Sequence, residues 1–454
     1  MNAAEKLSEL EITFDGKQRQ AIEMCCAEDR IVAVTGSAGT GKTTIIQRVA
    51  NQMVEEGWKV ICCAPTGKAA RRVKEATGIE AVTIHRLLEF PKPNEIDEKT
   101  GKPLDVTIPR RDKDNRIQYD FVICDEYAMV PHELNRQLID ALPNGGLLRC
   151  FGDIHQLSPI EKSKIKVEGF ELSPFQQHLK RFPSVTLDRV YRQSEGSGIF
   201  ANGARIVNGM APASTDDFVI NFTDRPVLAV EELLYKEPAK WGSIQNQIIV
   251  TGHKTWVGTY ELNMRAQMII NPEPEFAFDP IRHKWMESAK ITIGIGDKVV
   301  CTENCYDLRD LFERWEGEPY GKESFQIPTP DNAMMLNGEI GKVVEIQRHG
   351  KDVEAVLVDF GDRVVSVPFE IHEYSPKSGS IFKTQPIKAL DLGYVLTTHK
   401  CQGSEFQEIC YVLNKSSKFT QNRRNLYTAV TRARKQVTVI TDRASLSYSL
   451  WNQK

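Results

Sequence analysis

The chain has 454 residues with 58 basic and 61 acidic side chains, so its formal net charge is -3. Hydrophobic residues make up 41% and charged residues 26%, an ordinary globular balance that excludes collagen-like, disordered and disulfide-stapled chains. At ~150 residues per domain, the length predicts about three domains. No apolar run approaches the ~20 residues of a membrane helix, and the polar N-terminus lacks a signal-peptide layout.

The cysteines and the net charge exclude further classes of protein. The ten cysteines form no Cys-x-x-Cys pair, which argues against a zinc site and predicts reduced core thiols. The near-neutral charge excludes a histone-like basic protein, although a near-neutral protein can still carry a basic groove.

The first third of the chain alternates apolar runs with helical patterns. Predicted strands are RIVAVTGS, WKVICCAPT, FVICDEY and GLLRCFGD, and predicted helices are TTIIQRVANQMVEEG and GKAARRVKEATG. Strands separated by helices and flanked by glycine favour a parallel sheet with helices on both faces. Residues 88–118 are rich in proline and charge, which predicts an inserted hairpin or, equally from composition, a disordered loop.

A second α/β region is predicted to begin near Ser184, with a strand in QNQIIVTGH and a helix in TYELNMRAQ. Short β-rich pieces with NG, HG and GD turns then predict a small barrel or meander. The α/β pattern returns in LDLGYVLTTHK, EICYVLN, a helix through RRNLYTAVTRAR, and QVTVIT. The predicted division is a first domain over residues 1–183, a second over 184–271 and 387–454, and an inserted β-rich domain over 272–386.

A glycine-rich motif predicts a nucleotide site. Residues 36–43, GSAGTGKT, fit the P-loop pattern and lie between a predicted strand and a predicted helix. Backbone N–H groups of such a turn bind phosphate, while lysine supplies a cation and threonine a hydroxyl for Mg²⁺. The sequence therefore predicts ATP and Mg²⁺ as ligands, bound by Gly36, Ser37, Ala38, Gly39, Thr40, Gly41, Lys42, Thr43 and Thr44.

Acidic, amide and guanidinium side chains elsewhere in the sequence are predicted to act with the P-loop in hydrolysis of the nucleotide. Asp125 and Glu126 end a strand, where Asp125 suits Mg²⁺ coordination and Glu126 suits the catalytic base. Gln156 in GDIHQL follows another strand and suits a γ-phosphate sensor. Arg192 and Arg432 are candidates to neutralise charge in the transition state, although each alone is more readily a surface cation.

Eight motifs occur in series along the chain: GSAGTGKTT, CAPTGKAARRV, TIHRLL, ICDEYAMV, GDIHQLSPI, LDRVYRQ, LTTHKCQGSEF and YTAVTRARKQV. With this series the chain resembles superfamily 1 helicases, and within them the RecD-like branch, close to phage Dda-type helicases. The resemblance implies an α/β fold of two RecA-like P-loop domains with ATP in the cleft between them. It also implies a strand-separating hairpin inserted in the first domain, at 88–118, and an SH3-like β-barrel inserted in the second.

The resemblance also assigns residues. Gln18 matches the glutamine that reads adenine, Gly403 and Glu405 lie in a stretch near the nucleotide, and Arg192 and Arg432 match arginines that reach the phosphates. The residues that match contacts to the backbone of single-stranded DNA are Pro65, Thr66, Lys68, Thr83, His85, Thr397, His399 and Lys400.

The implied function is an ATP-dependent DNA helicase that translocates 5′→3′ on single-stranded DNA and unwinds duplex at single-strand/duplex junctions. The alternative is a translocase that displaces bound proteins without processive unwinding. We expect a cytoplasmic monomer, in the host cell if phage-encoded, acting in replication, recombination or repair, with a single-strand-binding protein or replisome components as partners. DNA or RNA preference stays open, as does the strand-separating residue, for which Phe90 and Tyr119 are candidates.

Overall fold

The computed structural model describes residues 14–91, 102, 104–159, 166–167, 170–191, 197–274, 278–281, 291–305, 308–311, 335–349, 352–375, 380–417 and 420–452. The chain divides into two compact units, the first covering 1–96 and 103–194 and the second covering 97–102 and 195–454. In the described part of the chain, none of the helices has the length and apolar character that crossing a membrane requires.

The first unit is built on a parallel sheet. Its strands are β1 (Ile31–Gly36), β2 (Val60–Ala64), β3 (Ala81–Thr83), β4 (Phe121–Cys124), β5 (Leu147–Gly152) and β8 (Ser184–Leu187), with β6 (Lys166–Val167) and β7 (Phe170–Glu171) forming a separate ribbon. The sheet order is β3-β2-β4-β5-β1-β8, and every neighbouring pair is parallel. Its helices are α1 (Gly16–Cys26), α2 (Lys42–Glu55), α3 (Gly67–Thr77), α4 (Ile84–Leu87), α5 (His132–Ala141) and α6 (Pro174–Arg181).

Helices cover both faces of this sheet, as the sequence predicts. Successive side chains of a strand point to opposite faces, so β1 contributes to two cores. Val32 packs in one core with Ile46 of α2, and Ala33 packs in the other with Leu138 of α5. Continuous apolar runs therefore mark strands that are buried on both sides.

The structure bears on two predictions for this unit, its C-terminal boundary and the inserted hairpin. The prediction that a second domain begins at Ser184 is wrong, because Ser184–Leu187 pairs in parallel with Ala33–Gly36 of β1. Parallel pairing joins segments far apart in the chain, which local composition does not reveal. Of the predicted hairpin, residues 92–101 and 103 lie outside the described residues, and the described parts, 88–91, 102 and 104–118, contain no strand.

The second unit contains another parallel sheet, with strands β9 (Phe218–Phe222), β10 (Asn246–Val250), β21 (Val395–Thr397), β22 (Phe406–Leu413) and β23 (Ala433–Thr441) in the order β21-β10-β22-β23-β9. Its helices are α7 (Gly198–Val207), α8 (Pro226–Lys236), α9 (Pro238–Gly242), α10 (Thr259–Ile270), α11 (Arg423–Val430) and α12 (Arg443–Trp451).

An antiparallel sheet is inserted between the strands of that parallel sheet. Its strands are β13 (Lys298–Cys301), β14 (Arg309–Leu311), β15 (Ile340–His349), β16 (Asp352–Asp359), β17 (Val364–Pro368) and β20 (Leu390–Leu392), in the order β14-β17-β16-β15-β13-β20. Two further pairs are β11 (Phe278–Ile281) with β12 (Ile291–Ile293), and β18 (Ile371–Ser375) with β19 (Ser380–Thr384). The inserted sheet shares a core with the parallel sheet, in which Val299 and Val356 cluster with Ile248.

Two predicted boundaries shift in this unit. LDLGYVLTTHK is two strands, because Leu390–Leu392 pairs with β13 and only Val395–Thr397 joins the parallel sheet. A Cβ on Gly393, between them, would lie 2.7 Å from the Val299 carbonyl carbon, so the close backbone crossing requires glycine there. The predicted helix through RRNLYTAVTRAR ends at Val430, and the last residues of that motif begin β23.

Candidate nucleotide and nucleic-acid sites

Three of the predicted motifs meet at one edge of the first sheet. The P-loop follows β1, the Asp125–Glu126 pair follows β4, and the turn containing Gln156 follows β5. Strand β5 pairs with both β1 and β4, so the carboxyl ends of the three parallel strands are neighbours. Open α/β sheets bind ligands at this edge.

Glycines of the P-loop bring backbone close to neighbouring side chains. A Cβ on Gly36 would lie 2.5 Å from Thr40 Oγ1, and one on Gly41 would lie 2.5 Å from Gln18 Nε2. Gly39 and Gly41 also have φ values of 83° and 86°, in the left-handed region that favours glycine. Gly41 is the N-cap of α2, so N–H groups of the first helical turn face the loop without a side-chain cap.

The P-loop lysine is held by its own loop. Lys42 Nζ donates to the carbonyl oxygens of Gly36 at 2.6 Å and Ser37 at 2.9 Å. Thr40 Oγ1 also donates to Ser37 O, at 2.9 Å. The ammonium, the helix N-terminus and the glycine-rich backbone therefore lie together, which is the donor set that binds polyphosphate.

The two acids occupy different backbone conformations. Asp125 is buried, its N–H donates to Cys63 O at 3.0 Å, and its Oδ1 accepts from Glu126 N–H at 2.8 Å. Glu126 has φ 52°, one of two positive values at non-glycine residues in the described chain. Such conformations persist where surrounding contacts enforce them, and they cluster at functional sites.

The turn after β5 contains a buried oxygen that has no partner among the described residues. Asp153 shapes this turn, because its Oδ1 accepts from His155 N–H at 3.0 Å and its backbone oxygen accepts from Gln156 N–H at 3.2 Å. Gln156 Oε1 is buried and receives no hydrogen bond from any described residue. An orphaned buried acceptor is costly unless a ligand or water satisfies it. Together with Thr43 and Asp125 at the same edge, it fits a site for ATP and Mg²⁺.

Helix α1 connects to the P-loop through its first turn. Gln18 Nε2 donates to Thr40 O at 3.1 Å, and Gln18 and Asp15 form a capping box. Tyr191, which the sequence analysis did not single out, donates its N–H to Gly39 O at 2.8 Å and its hydroxyl to Asp15. That hydroxyl bond lowers the pKa of the Asp15 carboxyl. The position of Tyr191, directly before Arg192 in LDRVYRQ, was the available signal.

The predicted DNA contacts of the first unit lie at two helix starts after β2 and β3. Thr66, which follows Pro65, is the N-cap of α3, and its Oγ1 accepts from Ala69 N–H at 3.3 Å. Lys68 is in the first turn of that helix. Thr83 caps α4, which contains His85 in its first turn, and accepts from the N–H of residue 86 at 3.1 Å.

The two aromatic candidates for strand separation both make contacts within the first unit. The Phe90 ring lies 4.8 Å from the His85 ring. The Tyr119 hydroxyl donates to Glu80 Oε2 at 3.2 Å. Neither residue is fully exposed.

The predicted DNA contacts of the second unit are the last residue of β21, Thr397, and two residues after it, His399 and Lys400. Thr397 Oγ1 accepts from Lys400 N–H at 3.3 Å, and burial lowers the pKa of both His399 and Lys400. Lys400 Nζ donates to Asn337 Oδ1 at 2.5 Å and to Thr302 O at 3.4 Å. Both acceptors belong to the inserted region, and no sequence motif pointed to them.

The remaining predicted residues lie close together in the same unit. Arg432 is buried, and its guanidinium donates to Thr428 O at 3.1 Å and to Ser404 O at 3.4 Å. Ser404 lies between Gly403, which has φ 73°, and Glu405. Arg434 Nη2 pairs with Glu405 at 2.7 Å. The other predicted arginine, Arg192, lies outside the described residues.

Family models match both parallel-sheet regions. One described as an AAA domain matches residues 13–219, and one described as a UvrD-like helicase C-terminal domain matches residues 392–440. The ATP-dependent RecD2 DNA helicase of Deinococcus radiodurans is 29% identical over 419 residues, covering 90% of this chain and 46% of that protein. The chain thus spans about half the length of this relative. The RecBCD enzyme subunit RecD of Mycobacterium tuberculosis is 24% identical, over 95% of this chain and 70% of that protein.

Solved structures of other proteins share the fold of this chain. Pif1 helicase from Bacteroides, in complex with ADP-AlF3 and ssDNA, has a TM-score of 0.55 at 19% identity, covering 97% of this chain and 94% of that one. Pif1 helicase from Candida albicans has a TM-score of 0.55 at 18% identity, covering 96% and 97%. The two parallel sheets correspond to the two RecA-like domains of this fold. Its sequence relatives and its ordered motifs make the chain similar to the RecD-like branch of the superfamily 1 helicases.

Proposed function

We propose that this chain is an ATP-dependent DNA helicase that moves 5′→3′ along single-stranded DNA and separates duplex at a junction. The observation that carries this proposal is the single sheet edge where the P-loop, the Asp125–Glu126 pair and Gln156 meet. The residues named above are those of this sequence that match the helicase motifs. We propose DNA as the track because the RecD2 relative is named as a DNA helicase.

In the proposed reaction, the loop glycines and Lys42 bind the β- and γ-phosphates. Bound Mg²⁺ supplies neutralisation of the phosphate charge, and Thr43 and Asp125 would hold it. Glu126 accepts the proton of the attacking water, and Gln156, whose Oε1 is buried without a partner in the described chain, orients that water or senses the γ-phosphate. Arg192 and Arg432 stabilise the charge that develops as the phosphate leaves.

Strand movement follows if the two units bind DNA with affinities that change through the ATP cycle. We propose that the hydroxyls of Thr66 and Thr83 and the Lys68 and Lys400 ammonium groups contact phosphates. Phosphate contacts position the strand without reading its sequence, so binding tolerates any sequence and weakens with salt. We further propose that the 88–118 insertion is the strand-separating element and that the inserted β-region is the SH3-like domain of this branch.

The test uses one duplex with either a 5′ or a 3′ single-stranded tail, and ATPase with and without single-stranded DNA. We expect DNA-stimulated hydrolysis and unwinding of the 5′-tailed duplex alone. Unwinding from the 3′ tail would contradict the direction while retaining the motor. Stimulated hydrolysis without unwinding would favour the alternative translocase that displaces proteins. The cytoplasmic location, monomeric state and replication partners stay predictions.

A further inference from the structure

The second unit contains a lysine whose side chain links the parallel sheet to the inserted sheet. Lys400 follows β21, yet its ammonium donates to Asn337 at 2.5 Å and Thr302 at 3.4 Å, which are 63 and 98 residues away in the chain. An ammonium has three N–H donors, and the described residues engage two of them. Both acceptors are neutral oxygens, so they orient the ammonium without cancelling its charge.

The acceptor lies in a firmly held turn. Asn337 N–H donates to Asn304 Oδ1 at 2.8 Å, and Gly338 N–H donates to Cys301 O at 2.9 Å. Within the turn, the Glu339 carboxylate accepts from Leu336 N–H at 2.9 Å. Glu339 also pairs with Arg363 at 2.7 Å, with both side chains under a tenth exposed. The turn therefore offers Lys400 a fixed acceptor, while the Asn337 side chain itself is exposed.

A fixed ammonium has a physical advantage in phosphate binding. A free lysine side chain samples many rotamers and loses this entropy when it contacts a ligand. Contacts within the protein that already restrict the side chain reduce the loss on binding. We infer that Asn337 is a positioning residue that holds the Lys400 ammonium ready for a phosphate of single-stranded DNA. This inference rests on the proposed function, in which Lys400 contacts the strand.

The experiment is a double-mutant cycle in the full chain, with binding of a fluorescent oligothymidylate measured over a series of salt concentrations. Lys400→Ala should weaken binding and reduce the salt slope by about 0.7, the share of one phosphate contact. Asn337→Ala should weaken binding about fivefold through lost side-chain order, with the salt slope unchanged. In the Lys400→Ala background, Asn337→Ala should have no further effect.

Matched controls separate positioning from folding. Lys236→Ala removes an exposed lysine at the end of α8 and should leave affinity unchanged. Thermal unfolding of each variant checks that the exposed Asn337 position tolerates alanine.

Three results would overturn the inference. Equal losses from Asn337→Ala with and without Lys400 would show that Asn337 acts independently. Unchanged affinity in Asn337→Ala, with a real loss in Lys400→Ala, would show that Lys400 needs no positioning. Unchanged affinity in Lys400→Ala would contradict the strand contact itself, and the inference with it. Coupling of the two residues in a chain that fails to unwind DNA would support the inference while refuting the helicase proposal.

Discussion

Lysines after a strand in each unit are held in different ways. In the first unit, Lys42 donates to Gly36 and Ser37, six and five residues before it in the chain. In the second unit, Lys400 donates to Asn337 and Thr302, which are 63 and 98 residues away. Lys42 is therefore held within one strand–turn–helix, whereas Lys400 is held by an inserted sheet.

The two lysines should therefore differ in which substitutions disturb them. A side chain that is held by its own loop depends little on distant contacts, so its substitution should affect chemistry without affecting folding. A site held by distant segments depends on the packing of both, so its substitutions should couple to residues that no motif identifies.

The largest expected effect is on Lys42. Lys42→Ala should abolish ATP hydrolysis, because the phosphates lose their fixed cation. Since its contacts are local, single-stranded DNA binding and the thermal unfolding temperature should change little. Steady-state ATPase, oligonucleotide binding and thermal melting measure the three properties. A large fall in unfolding temperature would show that the first site is not separable from its fold.

Replacing Arg432 should slow hydrolysis by about three orders of magnitude while ATP affinity changes far less. Its guanidinium bonds the carbonyls of Thr428 and Ser404, so it lies beside the GSEF stretch. The matched control is Arg434→Ala, since Arg434 is half-exposed and pairs with Glu405 at 2.7 Å. Single-turnover hydrolysis and equilibrium ATP binding separate the two effects. Equal losses in both variants would argue for general disturbance of this region.

A buried arginine provides a long-range contact in the first unit. Arg149 in β5 is fully buried and donates to the carbonyls of Cys25, Ala27 and Asp29 at 2.5, 2.6 and 2.7 Å. Arg149→Met should reduce the free energy of unfolding by about 3 kcal/mol, because buried carbonyls lose their donors. The exposed Arg136→Met should cost under about 0.5 kcal/mol.

The ATPase activity of Arg149→Met tests whether the P-loop depends on this long-range contact. Below its unfolding temperature, Arg149→Met should hydrolyse ATP at a rate near that of the unaltered chain, because no P-loop contact is lost. A folded variant without ATPase activity would show that the P-loop geometry depends on the α1 attachment.

The smallest expected effect is a pH dependence. Burial lowers the pKa of His178 to about 4, against ~6.5 for an unfolded chain. Between these two pH values the unfolded state therefore binds more protons than the folded state. The contribution of neutral His178 to the free energy of unfolding is complete above about pH 6.5 and is lost as the pH falls towards 4. The loss by pH 5 should be about 2 kcal/mol. His178→Gln should remove this part of the pH dependence, measured by denaturant unfolding at several pH values; an unchanged profile would contradict the burial effect.

The predictions from sequence are confirmed where neighbouring residues decide the structure. The predicted strand, turn and helix around residues 31–55 are observed as β1, the P-loop and α2. The antiparallel pairing of β15 with β16, on either side of the predicted HG turn, agrees with the predicted β-rich region. Buried thiols in Cys62, Cys63, Cys124 and Cys150 also agree with the prediction of core cysteines.

The predictions are wrong where contacts between distant segments decide which sheet a strand joins. Ser184–Leu187 joins the first sheet through pairing with β1, about 150 residues earlier in the chain. Leu390–Leu392 joins the inserted sheet although its sequence continues into the parallel sheet. Neither assignment follows from periodicity, because a buried parallel strand and a buried antiparallel strand can have the same apolar pattern.

By itself, the amino-acid sequence determined the order of the motifs, the P-loop and its neighbouring elements, and the side chains that suit phosphate chemistry. These depend on backbone preferences and side-chain chemistry within short segments. Only the tertiary structure decided which strand ends meet, where the first unit ends and which residue holds Lys400. These depend on contacts between segments far apart in the chain, whose pairing is selected by burial and hydrogen bonding of the whole fold.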